Sequence, residues 1–358
     1  MTVYLLAGGG TAGHVNPLLA TADAIRATEP DATVIVVGTR EGLESRLVPE
    51  RGYELVTIAK LPFPRRPNRA ALRFLPGMRN CIGQLASLIR ERGVDVVIGF
   101  GGYASAPAYL AARGAGVPIV IHEANARPGL ANRLGARFTP YVAVVFPGTP
   151  LRRAVVTGLP LRQEIAGLNQ ADAAREAVGE FGLDPDRPTV LVTGGSLGAQ
   201  RINLGISAAV QSIIDSGYQV LHIWGDKKDF IDPGVEHYRV LRYCDRMELA
   251  FAAATIAVAR AGSATVAELS VLGIPSILVP YAVGNGEQRF NAANLVAAGG
   301  AILVEDDRFT PEYVRGEFVV LLGDAPRLAR MRSAASGVGI PDGAERLVAL
   351  IRNAVARA

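Results

Sequence analysis

Short apolar runs alternate with helical patterns along the chain, as in proteins built from parallel strands and crossover helices. The clearest example lies in residues 255–288. The apolar run Thr255–Ala259 predicts a buried strand, and a helix follows over Ser263–Leu272 with Ser263 as its N-cap. Ile277–Val279 predicts the next strand, and a glycine-bearing loop follows it. This βαβ unit places polar groups at the carboxyl ends of its strands, where open α/β sheets bind ligands.

The first part of the chain opens in the same order. A strand at Val3–Ala7 is followed by the glycine-rich turn Gly8–His14, and a helix is expected after Pro17. Glycines in such a turn let the backbone approach a ligand closely. Further strands of this part are predicted at Thr33–Gly38, Asp95–Gly99, Pro118–Ile121, Tyr141–Phe146 and Ala154–Thr157.

A second opening of this type lies about 190 residues further on. The strand Thr189–Thr193 leads into the turn Gly194–Gly198, and a helix is expected near Ala199. Two such openings predict an α/β protein with two Rossmann-like domains that face each other across a cleft. The remaining predicted elements are the strands Val220–Trp224 and Tyr238–Arg242 and the helices Asp245–Ala254 and Asp342–Val355.

Composition agrees with a folded two-domain protein. The 358 residues exceed one ordinary core, and 49% of them are hydrophobic while 20% are charged. The net charge of +4 comes without a long run of Lys or Arg, so nucleic acid is not expected as a partner. The two cysteines, Cys81 and Cys244, lack metal or redox spacing and fit a reduced compartment. We expect neither a signal peptide nor a membrane-spanning helix.

Residues 60–82 interleave cations with apolar side chains, a composition that suits the surface of an anionic membrane. A solvated loop and helix with an inward apolar side is the other interpretation. Four prolines in or beside this stretch argue against one long amphipathic helix. The cations are Lys60, Arg65, Arg66, Arg69, Arg73 and Arg79, and the apolar residues are Leu61, Phe63, Leu72, Phe74, Leu75 and Met78.

Several motifs of the second domain could bind a nucleotide that carries a diphosphate. The Gly194-Gly195-Ser196 turn and the start of the Ser263 helix would offer N–H groups to phosphates, and Glu268 could accept hydrogen bonds from two ribose hydroxyls. Arg162 could offset charge on the leaving diphosphate, and Glu287 and Gln288 could contact an attached sugar.

Several classes of site are disfavoured. The first glycine-rich turn is not the GxGxxG fingerprint and no acidic residue closes the next strand, which argues against a nicotinamide dinucleotide. Neither a P-loop nor a GxSxG elbow occurs. No carboxylate or histidine cluster indicates a metal site, and we expect no cofactor. His14, beside the first turn, is either a structural hydrogen-bonding residue or a catalyst.

An ordered set of motifs resembles the MurG family of glycosyltransferases over essentially the whole chain. The opening motif is Gly9-Gly10-Thr11-Ala12-Gly13-His14-Val15-Asn16-Pro17. The others are Gly101-Gly102-Tyr103, His122-Glu123-Ala124-Asn125, Gly158-Leu159-Pro160-Leu161-Arg162, Gly194-Gly195-Ser196-Leu197-Gly198-Ala199, Arg260 to Glu268, Glu287 to Ala292, and Ile340 to Ala344.

The resemblance implies the GT-B fold. An acceptor- and membrane-side domain would cover residues 1–160 and be completed by the C-terminal helix 341–358, and a donor domain would cover residues 161–340. The implied reaction is inverting transfer of N-acetylglucosamine from UDP-N-acetylglucosamine to lipid I, which gives lipid II without a required metal. The implied location is the cytoplasmic side of the cell membrane, as a peripheral protein.

The resemblance also implies the roles of individual residues. His14 is the family's usual candidate for the base that deprotonates the acceptor hydroxyl, and the Cys244 position is where the family's backbone contacts the uracil. The remaining implied substrate-binding residues are Thr11, Ala12, Gly13, Asn125, Arg162, Ser196, Ser263, Ala264, Thr265, Val266, Ala267, Glu268, Glu287 and Gln288.

Three alternatives stay open at this point. The first is a related glycosyltransferase that acts on diacylglycerol or on a small aglycone, which acceptor preference would distinguish. The second is a nucleotide-sugar epimerase, which would act on UDP-N-acetylglucosamine without an acceptor. The third is a non-catalytic binder of nucleotide sugars or lipid surfaces.

Overall fold

A computed structural model describes residues 1–63, 69–195, 198–225, 233–281 and 286–357. The chain divides into two compact units: unit 1 contains residues 1–162 and 342–358, and unit 2 contains residues 163–341. The division therefore falls two residues after the expected boundary at 160, and the last helix belongs to unit 1.

Unit 1 is built on a seven-stranded parallel sheet with the order β3-β2-β1-β4-β5-β6-β7. Most positions of its central strands are apolar because helices cover both faces of the sheet. The strands are β1 Val3–Ala7, β2 Thr33–Thr39, β3 Glu54–Ile58, β4 Val96–Gly99, β5 Ile119–Glu123, β6 Tyr141–Val144 and β7 Ala154–Val156.

The two faces of this sheet carry separate hydrophobic cores. One core joins the sheet to the first and last helices, through Leu18 and Ile25 of α1 and Leu347 and Ile351 of the last helix. The other joins it to α3 and α4. The helices of unit 1 are α1 Ala12–Thr28, α2 Glu44–Glu50, α3 Arg69–Arg92, α4 Ser105–Ala115, α5 Leu130–Gly135 and, at the end of the chain, α16 Gly343–Val355.

Unit 2 is built on a six-stranded parallel sheet with the order β10-β9-β8-β11-β12-β13. The strands are β8 Thr189–Thr193, β9 Gln219–Ile223, β10 Tyr238–Leu241, β11 Ala254–Ala259, β12 Ser276–Leu278 and β13 Ala301–Leu303. The helices are α6 Gln163–Ala166, α7 Gln170–Phe181, α8 Gln200–Ser207, α9 Val210–Asp215, α10 Met247–Ala253, α11 Ser263–Val271, α12 Glu287–Ala297, α13 Pro311–Tyr313, α14 Val319–Leu322 and α15 Ala325–Ser336, with a 3₁₀ turn at Asp306–Arg308 and a π-helical turn at Val314–Phe318.

The strand order of each sheet reverses direction at one point, between β1 and β4 in unit 1 and between β8 and β11 in unit 2. Ligands of open α/β sheets bind beyond the carboxyl ends of the strands at such a switch point. Both glycine-rich turns of the sequence follow a strand at a switch point. The fold thus places the two turns where a ligand site is expected.

Three local predictions were wrong. The first helix begins at Ala12 and contains Pro17, so His14 lies in its first turn. A proline at this depth leaves the carbonyl four residues earlier, that of Gly13, without its helical partner. The N-cap of α11 is Gly262 rather than Ser263.

The third error concerns the proline-containing stretch. Residues 69–92 form one 24-residue helix, α3, with Pro76 inside it. Pro76 removes one backbone hydrogen bond. Burial of Cys81, Leu85 and Ile89 against the sheet stabilises the helix in spite of that loss.

Candidate functional site

In unit 1, two glycine-rich loops pack against each other at the β1–β4 switch point. The first follows β1 and contains Gly9, and the second follows β4 and contains Gly101 and Gly102. Gly102 has φ of +78°, and a Cβ atom at this position would lie 2.5 Å from the Gly9 carbonyl oxygen. Only glycine satisfies both conditions, because any side chain would be strained and would collide with backbone. The contact fixes the position of the Gly9 peptide.

His14 is held against this pair of loops. Its Nδ1 lies 3.2 Å from the Gly9 carbonyl oxygen and 3.3 Å from Thr11 Oγ1. Since a carbonyl only accepts, Nδ1 of the neutral ring carries the proton, and Nε2 keeps its lone pair. A Cβ built on Gly101 would lie 3.1 Å from this Nε2, so the lone pair lies beside the second loop.

Burial lowers the pKa of His14 below its usual 6.5, against smaller opposing effects of Glu123, the Gly9 hydrogen bond and Glu44. The ring is therefore neutral at pH 7. A neutral imidazole with one nitrogen committed to a carbonyl and the other unprotonated can act as a general base.

Asn125 is positioned by a buried carboxylate. Glu123, 3% exposed, accepts hydrogen bonds from the backbone N–H groups of Asn125 and Gly129, each at 2.9 Å, and from Asn132 Nδ2 at 3.0 Å. These bonds fold the loop after β5. The structure places both His122 and Glu123 inside β5, whereas the sequence pattern ended that strand at Ile121.

In unit 2, the predicted donor residues gather around the β8–β11 switch point. Gly194 follows β8, and Ser263, Ala264, Thr265, Val266, Ala267 and Glu268 form the first turns of α11. The side chains of Ser263 and Val266 are buried, so the backbone N–H groups of this helix start are what it offers to an anion. Ser196 lies outside the described residues.

A cavity of about 950 Å³ lies at the same edge of the sheet. Gly194, Arg260, Tyr281, Gln288 and Asp306 belong to its lining, and each follows a different strand or begins the next helix. The rest of the lining consists of Gly198, Ala199, Gln200, Arg201, Leu204, Gly205, Phe309, Thr310 and Pro311. Cys244 and the described side chains of α11 are not part of it.

Arg260 ties the ends of three strands together. This 9%-exposed residue donates from one guanidinium nitrogen to the Val279 and Pro280 carbonyls at 3.0 and 3.3 Å and to Asp306 Oδ1 at 2.5 Å. Next along the chain, the Tyr281 N–H donates to Gln288 Oε1 at 2.9 Å. Arg260 therefore holds the segment that orients Gln288. The sequence indicates Arg260 only as part of a motif and does not indicate Asp306.

The remaining predicted residues are spread over both units. Cys244 is 7% exposed after β10, and burial raises the pKa of its thiol to about 11, so it is not a nucleophile. Glu287 begins α12 beside Gln288. Arg162 is the last residue of the first segment of unit 1 and has no ion pair with any described residue.

The described ranges contain neither a metal-ligand cluster nor a membrane-spanning helix. There, no group of three His, Cys, Asp or Glu side chains could hold a metal ion. Nor does any helix in these ranges have the length and apolarity needed to cross a bilayer.

Comparison with known proteins defines the class. Residues 4–144 match the N-terminal domain of glycosyltransferase family 28, and residues 189–347 match its C-terminal domain. The chain belongs to glycosyltransferase family 28 and has the GT-B fold.

Full-length relatives narrow the class further. A UDP-N-acetylglucosamine–N-acetylmuramyl-(pentapeptide) pyrophosphoryl-undecaprenol N-acetylglucosamine transferase of Clavibacter sepedonicus is 61% identical over 99% of this chain and 97% of its own. A transferase of the same name from Leifsonia xyli is 58% identical over all of both chains. The crystal structure of Acinetobacter baumannii MurG matches with a TM-score of 0.80 at 26% identity, over 99% of this chain and all of that one.

We predict that Gly102→Ala destabilises unit 1 by more than about 1 kcal/mol, because it combines a strained φ with a collision against Gly9. Gly114→Ala is the matched control. Gly114 lies inside α4 with open space around its Cβ position, so alanine there should stabilise by about 0.5–1 kcal/mol. Urea denaturation followed by circular dichroism measures both. Equal effects of the two substitutions would contradict the proposed packing of the loops.

Proposed function

We propose that this protein transfers N-acetylglucosamine from UDP-N-acetylglucosamine to the muramyl sugar of lipid I, giving lipid II for peptidoglycan synthesis. The observation that carries the proposal is its 58–61% identity, along whole chains, to transferases of that name. The geometry of both switch points supports the same chemistry.

The donor would bind to unit 2. Its diphosphate would accept hydrogen bonds from the free N–H groups at the start of α11 and from the turn at Gly194, Gly195 and Ser196. Glu268 would accept from the ribose hydroxyls, the backbone at Cys244 would contact the uracil, and Gln288 would contact the sugar. The cavity beside Gln288 offers room for that sugar.

The acceptor would bind to unit 1. Inverting transfer requires a base that takes the proton of the acceptor hydroxyl while UDP leaves. Nε2 of His14 is suited to this step because Nδ1 is occupied by Gly9 and the ring is neutral at pH 7. The N–H groups near Gly13 and Gly102 and the Asn125 loop would contact the rest of the acceptor.

The lipid acceptor would bring unit 1 to the anionic face of the cell membrane. Phe63 and Leu75 are 62% and 67% exposed, and Phe63 packs edge-on against Phe74 with ring centroids 5.5 Å apart. Exposed Lys60 and Arg79 flank this apolar surface. Arg65 and Arg66 lie outside the described residues, as do the side chains of Arg69, Leu72 and Arg73.

The reaction is tested by following labelled UDP-N-acetylglucosamine with and without a lipid I analogue, in the presence of a chelator. We expect transfer that requires the acceptor and survives chelation. Epimerisation without acceptor, or transfer to diacylglycerol but not to the lipid I analogue, would overturn the assigned function and leave the fold assignment intact.

The role of His14 is tested by His14→Ala and by His14→Gln, which retains a donor for the Gly9 carbonyl. We expect kcat to fall by roughly 10²–10⁴ in both, with binding of UDP-N-acetylglucosamine unchanged. Because protonation removes the base and burial lowers its pKa, wild-type kcat should fall on the acid side with a midpoint below pH 6.5.

His237→Asn is the control for this experiment. His237 lies in the turn before β10 of unit 2 with φ of +60°, a conformation that asparagine tolerates. It should retain wild-type kcat. A His14→Ala enzyme with wild-type turnover would show that another group is the base.

Membrane binding is tested with the double variant Phe63→Ser and Leu75→Ser on vesicles that contain phosphatidylglycerol. Loss of two exposed apolar side chains should weaken binding by about tenfold or more. Val320→Ser removes a similarly exposed apolar residue, 72% exposed, from unit 2 and should have no effect. Equal binding of wild type to neutral vesicles at all salt concentrations would argue against an anionic surface as the partner.

A further inference from the structure

The carboxylate of Glu44 occupies a closed socket at the carboxyl ends of β1 and β2 in unit 1. Glu44 is the first residue of α2 and is fully buried. Three glycines line the socket, Gly9 from the first glycine-rich loop, Gly38 from β2 and Gly42 from the loop before α2. A Cβ atom at any of the three would overlap the Glu44 side chain, at the carboxylate for Gly9 and Gly42 and at Cγ for Gly38. Absence of side chains at three separate positions is therefore what makes room for this one charged group.

Each carboxylate oxygen of Glu44 has a hydrogen-bond donor. Oε2 accepts from the Gly10 N–H at 2.8 Å, and Oε1 accepts from the Thr39 N–H at 2.8 Å and from Thr39 Oγ1 at 2.9 Å. Burial alone would raise the pKa of Glu44, but these hydrogen bonds outweigh it and hold the pKa below the usual 4.5. The group is thus an anion at neutral pH that joins the end of β2 to the loop after β1.

The Gly9–Gly10 segment leads directly from Glu44 to His14. Gly10 donates to Glu44, and the preceding residue, Gly9, offers the carbonyl oxygen that lies 3.2 Å from His14 Nδ1. On the other side Gly102 packs against the same carbonyl. The Gly9 peptide is held from both sides, and its carbonyl selects the tautomer of His14.

We propose that Glu44 is a positioning residue for sugar transfer, which fixes the Gly9–Gly10 segment so that the Gly9 carbonyl holds His14 with Nε2 unprotonated beside Gly101. This inference rests on the proposed function, because it takes His14 to be the base. The Gly10 N–H that donates to Glu44 and the Gly9 carbonyl that holds His14 belong to the same peptide group, so the two side chains are joined through one backbone unit.

Charged and titratable groups around His14 come from several elements. Glu44 lies on α2 and Glu123 on β5, and both favour the protonated ring. His122, also on β5, is fully buried, and burial lowers its pKa to about 4, so it is neutral at pH 7. Loss of the Glu44 charge should therefore lower the pKa of His14, with Glu123 left as the remaining anion.

The experiment compares Glu44→Gln with Glu41→Gln, which neutralises an exposed carboxylate three residues earlier. The glutamine amide has one acceptor oxygen in place of two, so it cannot accept from both the Gly10 and the Thr39 N–H groups, and we expect Glu44→Gln to lower kcat by about 10- to 100-fold. KM for the donor should stay within about twofold, since the donor residues lie on unit 2. The acid limb of the pH–rate profile should move to lower pH, and Glu41→Gln should match wild type in every measurement.

Glu44→Asp distinguishes the effect of the negative charge from the effect of side-chain length. Aspartate retains the negative charge but is one methylene shorter, so it loses the Gly10 contact. It should lower kcat while the acid limb moves less than in Glu44→Gln. Thr39→Val removes only the hydroxyl donor to Glu44 and should lower kcat, by less than Glu44→Gln does. This variant keeps the test available if Glu44→Gln does not fold.

An NMR titration of the His14 ring in each variant, assigned with His14→Gln, is a readout that does not depend on turnover. A lower His14 pKa in Glu44→Gln supports the link between Glu44 and His14 through the Gly9–Gly10 segment. This readout remains valid even if the wild-type enzyme transfers no sugar to lipid I, a result that would overturn only the proposed function. An unchanged His14 pKa together with unchanged kcat in folded Glu44→Gln would overturn the inference.

Discussion

The arrangement of both units follows from burial of the two faces of each parallel sheet. Strands that are covered on both sides can carry almost no polar side chains, so polar groups collect where the strands end. In unit 1 these ends carry Gly9, Gly101 and Asn125, and in unit 2 they carry Gly194 and Arg260. The candidate sites are therefore a consequence of the sheet order, and residues far apart in the sequence meet because their strands are neighbours.

Buried charged side chains tie these strand ends together. Glu44 joins β2 to the first loop of unit 1, and Glu123 folds the loop after β5. In unit 2, Arg260 connects the ends of β11, β12 and β13. A buried charge costs several kcal/mol unless it is fully hydrogen-bonded, and each of these three is bonded to backbone groups of a loop. Their hydrogen bonds thus hold loops whose own backbone forms no regular structure.

The fold could be predicted from the sequence because its signals are local. Apolar runs of four to six residues gave the strands β1, β8 and β11 nearly to the residue, and two strand–turn–helix openings gave the two sheets. Two short strands, β3 and β13, were missed because their apolar residues are few. The start of α1 was wrong because Pro17 was taken to precede the helix, although it lies inside the helix.

Motifs in the sequence predicted part of each site. The residues that were not predicted, Glu44 and Asp306, form hydrogen bonds that hold loop segments in place. In the sequence, Glu44 looks like an ordinary acidic residue in the first turn of a helix, and Asp306 looks like any acidic residue in a polar turn. Nothing local shows that Glu44 receives the Gly10 N–H, since that contact joins residues 34 positions apart. The partners became visible only when the strand order placed β1 beside β2.

Glycines show most clearly how a correct pattern can have a different physical cause. In the sequence, the glycine-rich turns indicate a backbone that a ligand can approach. In the structure, Gly9, Gly38 and Gly42 make room for the protein's own Glu44 side chain, and Gly102 makes room for the Gly9 carbonyl. In unit 2, Gly198 likewise faces the Trp224 carbonyl. Close contact inside the protein holds the loops in place, and the Gly9 carbonyl in turn holds the His14 ring.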